Sequence, residues 1–309
     1  MPRDVSPKTV YLILAHADSD HYHQLIGTLA DGINDVFVHV DSKVSDAPFR
    51  SSLPGVRVLT SRVPIKWGGW SIVDATLQLM RAARPSVNDD DYVVLISGDT
   101  YPLQSPAAIR DFLASAGSRQ YINSVPFPSI DAGKPIERVS RFFLEHDARD
   151  GKLHPLAGLV KMARIPANYK RAFAGRKPYC GSQWWALTGS AIGWLLDEVA
   201  RDRRYQKFAH HTAIPDEYFF QTLIMASPFS NDVSRTLMFT DFEREGIPLP
   251  APIDDEHIER LRISNLAVSF KAYGVGPVLF ARKVRSGKHP VAKQIEEKLW
   301  PLSINAPFG

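Results

Sequence analysis

Val10-Tyr-Leu-Ile-Leu-Ala15 decides the fold class: a short apolar run that stops at the polar His16 and is repeated in kind at Val36–Val40, Val56–Leu59 and Tyr92–Ser97. Helical patterns separate several of these strand candidates. The spacing predicts helices over 20–31, with Leu25, Ile26 and Leu29 on one face, over 71–83, with Ile72, Val73, Leu77 and Met80, and over 105–115, opened by Ser105-Pro106. Strands alternating with helices predict an α/β fold with a mostly parallel central sheet flanked by helices. In such a sheet ligands bind beyond the carboxyl ends of the strands, which points to His16, His39 to Lys43 and Ser97 to Tyr101.

The 309 residues, 44% of them hydrophobic, can fill one large domain or two average ones. No clean linker, internal repeat or low-complexity tail divides the chain, so a single large domain is expected. Cys180 is the one cysteine, which rules out a disulfide within this sequence and fits a reducing cytosol. Val10–Ala15 is too short to cross a bilayer or to act as a signal core, so no transmembrane segment is expected. The net charge of +4 favours an anionic substrate, a nucleotide or an acidic membrane face. It gives no concentrated basic stripe of the kind a nucleic-acid binder needs.

Past residue 120 the pattern loosens, with Pro126, Pro128, Gly133 and Pro135 marking an excursion, and 140–177 carries scattered Arg and Lys. Tyr179–Thr188 reads as an aromatic-rich strand leading into a helix near 189–201. A proline-rich connector at Pro248–Pro252 precedes an acidic-headed helix near Asp254, and Val278–Ala281 is a further strand candidate.

Three groups in this half can carry chemistry. Ala213-Ile-Pro-Asp-Glu-Tyr-Phe219 places Glu217 in the first turn of a helix that begins after Pro215, where a carboxylate can serve as a catalytic base or simply favour the helix dipole. Gly181-Ser-Gln-Trp-Trp185 sets two tryptophans side by side. On a strand they point to opposite faces, so one is expected in the core and the other in a cleft where it can stack on a sugar or base, unless both only fill space. Arg282-Lys283, with Arg285, follows an apolar strand and can neutralise a pyrophosphate leaving group, or form an exposed basic turn. Asp41, ending Val36-Phe-Val-His-Val-Asp41, is placed to accept from a ribose or base, and a strand-terminal Asp is also a common turn former.

Metal binding by a diphosphate site would call for an Asp-x-Asp pair just after a strand. Asp89-Asp90-Asp91 precedes its strand, Asp18-Ser-Asp20 follows β-type residues by too many polar positions, and Ser97-Gly-Asp-Thr100 supplies one carboxylate. A metal-independent site is expected, and no zinc spacing, phosphate-binding Gly-rich loop or nucleophile elbow is present in the sequence.

Seven motifs occur in one order: Tyr11-Leu-Ile-Leu-Ala-His16, Val38-His-Val-Asp-Ser-Lys43, Lys66-Trp-Gly-Gly-Trp-Ser71, Val94-Leu-Ile-Ser-Gly-Asp-Thr-Tyr-Pro-Leu103, Gly181-Ser-Gln-Trp-Trp-Ala-Leu-Thr188, Pro215-Asp-Glu-Tyr-Phe219 and Leu279-Phe-Ala-Arg-Lys283. Over roughly residues 10–285 the chain resembles the core-2/I-branching β-1,6-N-acetylglucosaminyltransferases, glycosyltransferase family 14, which also holds xylosyltransferases and plant glucuronosyltransferases. The resemblance implies a GT-A-like fold and an inverting, metal-independent transfer of GlcNAc, xylose or glucuronate from a UDP-sugar to a saccharide or glycolipid acceptor. It implies no further cofactor and no nucleic-acid partner. Residues 1–120 would form the nucleotide-sugar half and 121–309 the acceptor-binding and catalytic half of one domain.

Carried over by position, Glu217 matches the general base, Lys283 the lysine on the donor diphosphate, and Asp41 the aspartate of the nucleotide-binding strand. A second diphosphate cation lies upstream of that lysine, at Arg260 or Arg262. His16, Trp67, Ser97, Asp99 and Arg282 complete the expected donor side; Arg138, Trp184, Trp185 and Asp216 the acceptor side. The chain departs from the family where an acidic residue usually precedes the aromatic-proline pair at 101–102. Here Thr100 stands there and Asp99 is one place earlier, which leaves open a non-catalytic nucleotide-sugar or carbohydrate binder. Without the membrane anchor and disulfides of the animal enzymes, the chain looks like a bacterial cytoplasmic member, with its basic surface suited to peripheral association at the inner face of the membrane.

Overall fold

The computed structural model describes residues 7–17, 19–146, 157, 162–247, 249–286 and 290–303. Asp18, Pro248 and, within the 140–177 stretch, residues 147–156 and 158–161 lie outside the described residues. Strand β1 (Thr9–Ala15) is buried at every position, as an unbroken apolar run must be when both faces of its sheet are covered. It pairs in parallel with β2 (Asp35–Val40) on one side and β4 (Tyr92–Ser97) on the other, and β3 (Val56–Val58) extends the sheet beyond β2. The intervening α1 (Ser19–Leu29), α2 (Ser71–Ala83) and α3 (Pro106–Ser115) pack their apolar faces on it. Ser105 caps α3, its side chain accepting the Ala108 N–H at 3.2 Å with Pro106 in the first turn.

After β5 (Thr100–Pro102) and α3, the second half contributes strands to the same sheet. β6 (Gln120–Ile122) and β9 (Trp185–Thr188) pair antiparallel, β9 also runs antiparallel to β4, and β10 (Val233–Ser234) lies parallel to β6. The seven-stranded order is β10-β6-β9-β4-β1-β2-β3. The fold is mixed α/β around a mostly parallel sheet, as the alternation of elements implied, with β9 as its antiparallel member.

Tyr179–Thr188 is not the single strand expected from its aromatic content. It divides into β8 (Tyr179–Cys180), paired with β7 (Val125–Pro126), and β9. The reason is Gly181: a Cβ there would sit 1.7 Å from the Asn123 carbonyl oxygen, so backbone passes backbone where a regular strand cannot continue.

Between β7 and β8 lie the short α4 (Glu137–Ser140) and α5 (Tyr169–Phe173). Downstream, Thr188 caps α6 (Gly189–Arg201), and α7 (Arg203–Ala209) follows. The Pro215 segment also differs from expectation. Pro215–Glu217 is a separate 3-10 turn, and α8 (Phe219–Met225) starts only after Tyr218 breaks the helical run at φ −143°. Ile214, with φ 53°, sets the turn's entry in the left-handed region. β11 (Met238–Thr240) leads through the proline-rich connector to α9 (Asp255–Ile263), capped by Asp254 in a reciprocal bond with His257. The hairpin β12 (Ala267–Phe270) and β13 (Gly274–Pro277) precedes β14 (Phe280–Arg282), which joins β5 and β11 in a small second sheet, and α10 (Val291–Lys298) closes the described chain.

Candidate active site

The carboxyl edge of the parallel strands gathers most of the singled-out residues. β4 ends at Ser97, and because β9 runs the other way, with Leu95 opposite Trp185, the segment 181–184 enters at that same edge. β14 arrives there too: Arg282 lies opposite Thr100 in the pairing with β5. The result is a tight polar cluster. The Arg282 guanidinium donates to Ser97 Oγ at 3.1 Å and to Asp99 Oδ1 at 3.1 Å, and lies 4.8 Å from the centre of the Trp184 ring. Ser97 Oγ donates in turn to Asp99 Oδ1 at 2.5 Å. Burial alone would push the Asp99 carboxyl up, but the Arg282 charge, the bonds from Ser97 and Arg282 and the nearby Lys283 charge outweigh it and hold it below its ordinary value.

Asp41, at the end of β2, is buried and organises the neighbouring loop: its Oδ1 accepts the Lys43 N–H at 2.9 Å and the Ile65 N–H at 3.2 Å. His16 follows β1 on the exposed rim. Lys283 comes next after Arg282; its carbonyl accepts the Ile253 N–H, and the Asp99 carbonyl accepts from Val284.

A second cluster surrounds Glu217. Lys134 Nζ lies 2.5 Å from Glu217 Oε2, and Arg138 donates to the same oxygen. Oε1 has no hydrogen-bond partner among the described residues, and the side chain is 24% exposed, so one carboxylate oxygen is anchored and the other open. Cys180 and Tyr273 lie within electrostatic reach. Burial pushes the Cys180 thiol up to about 11 against the opposing charges of Lys134 and Arg138, and burial also raises the Tyr273 phenol, reinforced by Cys180 and Glu217.

Asp216, buried at the middle of the turn, has an Oδ1 with no partner. Burial, then the Glu217 charge, push its carboxyl up to about 7, only partly offset by its own backbone bond and by Lys134 and Arg138.

The two clusters share a short bridge. Gly181 donates to the Glu217 carbonyl at 2.7 Å, Gln221 Nε2 donates to the Ser182 carbonyl at 2.6 Å, and three residues after Gly181 comes Trp184, on which Arg282 stacks. Three residues of chain span at most about 10 Å. Glu217 and Arg282 therefore flank one segment at one sheet edge.

Other expected site residues fall elsewhere. Trp185 is 2% exposed, set edge-on to Phe220 inside the core, and Trp184 is only 7% exposed. The expected division into one buried and one open tryptophan is not found: both are buried, and Arg282 lies over the ring of Trp184. Arg262 lies on the exposed face of α9, bonded to Glu259 at 2.6 Å, and Arg260 is exposed on the same helix. Neither contacts the Asp99 cluster through a described hydrogen bond or ion pair. Trp67 is half-exposed and lines an apolar cavity with Ala213 and Ile214, which puts this expected donor-side residue beside the segment that carries Glu217. Lys134 and Tyr273 were missed by the sequence reading; the signal available for Lys134 was a cation four places before Arg138, beside the turn-forming Gly133. Among the described residues no group of three or more His, Cys, Asp or Glu side chains is arranged to hold a metal ion.

The family model described as Core-2/I-Branching enzyme matches residues 9–262. The chain belongs to this family. Similar curated relatives include xylosyltransferase oxt of Drosophila melanogaster, 25% identical over 235 residues, covering 72% of this chain and 25% of that protein. Xylosyltransferase 1 of Homo sapiens is 26% identical over 222 residues, covering 68% of this chain and 21% of the relative. The chain thus spans about a quarter or less of the length of these relatives. Among solved structures, 4-diphosphocytidyl-2C-methyl-D-erythritol synthase aligns over 83% of this chain and 98% of its own, at 10% identity and a TM-score of 0.35. The family match contains Glu217, Asp41, Asp99 and both anchoring cations, and ends before Arg282 and Lys283.

Proposed function

We propose that the chain is an inverting glycosyltransferase that moves a sugar from a UDP-sugar to a hydroxyl of a saccharide or glycolipid acceptor, with Glu217 as the general base. The observation that carries this reading is the asymmetric clamp on Glu217: Oε2 held by Lys134 and Arg138, Oε1 without a partner among the described residues. A base must present one lone pair in a fixed direction, and two cations on the other oxygen supply that direction.

In the proposed displacement the acceptor hydroxyl gives its proton to Glu217 Oε1 as its oxygen bonds to the anomeric carbon. The bond from that carbon to the phosphate oxygen breaks, and its electron pair leaves on UDP. Lys283, which matches the family's diphosphate lysine by position and follows the Asp99-bound Arg282, would neutralise the leaving diphosphate in place of a divalent cation. Asp41 and the loop it orders would border the nucleotide. Among donors, xylose is placed ahead of GlcNAc and glucuronate, since the matched relatives are named xylosyltransferases. No helix among the described residues is long and apolar enough to cross a membrane; a cytoplasmic location at the inner membrane face belongs to the proposal.

A thermal-shift panel of UDP-xylose, UDP-GlcNAc and UDP-glucuronate, with and without EDTA, tests the donor and the metal together. A donor at a hundred times its Kd stabilises the fold by about 2.7 kcal/mol, and the shift is expected to survive EDTA. Absence of any shift, or its loss in EDTA, contradicts the reading. Donor binding without UDP release to any acceptor supports the non-catalytic binder instead.

A further inference from the structure

We propose that the cavity beside Glu217 is a subsite for an apolar aglycone, so that the acceptor is a sugar carrying a hydrocarbon group rather than a wholly polar glycan; this rests on the function proposed above. The cavity encloses about 340 Å³, within the range of small-molecule sites. Its walls are mostly apolar: Trp67, Phe142, Phe143, Leu144, Ala213 and Ile214. Glu137, Arg141, His146 and Arg164 complete the polar part of the lining; the first two and Arg164 are exposed, and His146 is half-buried.

Continuity with the base selects the occupant. Ile214 lines the cavity and its carbonyl accepts the Glu217 N–H at 3.3 Å, three residues away. Arg138, which anchors Glu217, neighbours the cavity-lining Glu137 on α4, and its carbonyl accepts the Ala213 N–H at 3.1 Å. The backbone that carries Glu217 thus adjoins the cavity wall at Ala213 and Ile214, and the rest of an acceptor whose hydroxyl meets Glu217 is assigned to that hollow. The walls are fixed: Phe142 donates its N–H to Ile165 at 2.7 Å and stacks on His211, Phe143 donates to the His211 carbonyl at 2.8 Å, and Gly68 accepts from Ile214 at 2.8 Å. A preformed apolar hollow held this way binds hydrocarbon without first having to order itself.

The test measures binding by calorimetry on the full chain, without donor, using methyl, n-hexyl and phenyl β-D-glucopyranoside below any micelle concentration. Each methylene that enters the cavity tightens binding by about fourfold, so the hexyl or phenyl glycoside is expected to bind at least about thirtyfold tighter than the methyl. Leu144→Arg, which places a charge in the hollow at a half-buried position, is expected to erase that preference, and Trp67→Ala to reduce it; near-UV circular dichroism checks that both variants fold. Equal affinity for the three glycosides, or a preference that persists in Leu144→Arg, overturns the proposal. Because no donor is present, that failure is distinct from a failure of UDP-sugar transfer.

Discussion

Asp216→Asn probes the electrostatics of the Glu217 turn through stability alone. The Asp216 carboxyl is buried, its Oδ1 has no partner, and burial with the Glu217 charge raises it from 3.8 to about 7. The folded chain thus holds a proton there that the unfolded chain releases above about pH 4. Between those values the unfolded state binds fewer protons, so stability falls as pH rises, and above about pH 7 the full cost of ionising this buried carboxyl beside Glu217 is present. A gap of about 3 pH units at 1.36 kcal/mol each sets that cost at no more than about 4 kcal/mol. Asparagine mimics the protonated form and cannot ionise. In urea unfolding from pH 4 to 9, the variant is expected to match the parent at the acid end and to gain on it steadily up to about pH 7, where the gain levels off. Taking the difference between the two chains cancels every other titrating group. A difference that does not change with pH, or that shrinks as pH rises, refutes the argument.

Gly181→Ala would put its Cβ 1.7 Å from the Asn123 carbonyl oxygen, backbone against backbone, and is expected to cost about 2–3 kcal/mol in denaturant unfolding; an unchanged midpoint would mean that this crossing relaxes freely. Asp99→Asn leaves the mostly buried Arg282 charge without its carboxylate, and a loss of about 3 kcal/mol is expected by the same measurement, with Asp99→Asn/Arg282→Met recovering part of it. Lys134→Met removes one of the two anchors on Glu217 Oε2. Steady-state kinetics are expected to show kcat lowered by about a hundredfold, the effect of misplacing a reacting group by about 1 Å, with donor affinity unchanged; loss of donor affinity instead would move Lys134 to the nucleotide side.

The parts of the fold legible in the sequence were those that a single local pattern determines. β4 and the helices 71–83 and 189–201 sit at the residues their apolar spacing marks, and β1 and β2 extend one residue beyond theirs, because burial on both faces demands unbroken apolar runs. Elements set by contacts between distant residues were not legible. The break between β8 and β9 comes from Asn123, 58 positions before Gly181 in the chain by subtraction of their numbers. The 3-10 turn at Pro215–Glu217 depends on the left-handed Ile214, a conformation that a β-branched residue gives no reason to expect. Trp184 looked available for a sugar until the fold brought Arg282 onto its ring. Within the site, Glu217 and Arg138 were both singled out, but that they meet, and that Lys134 joins them, follows from the turn at Gly133 and from pairing across 79 and 83 positions. Nothing in the local sequence around Glu217 encodes that encounter.

Turnover by Glu217→Gln tests the central claim most directly. The substitution keeps the shape of the side chain and an amide oxygen that can still accept from Lys134 and Arg138, while removing its charge and its capacity to take a proton. With the UDP-sugar and acceptor that the parent chain turns over, UDP release is expected to fall by about 10²–10⁴-fold while donor affinity stays within a few-fold of the parent. Turnover near that of the parent, with donor affinity retained, would remove Glu217 from the role of base and contradict the account.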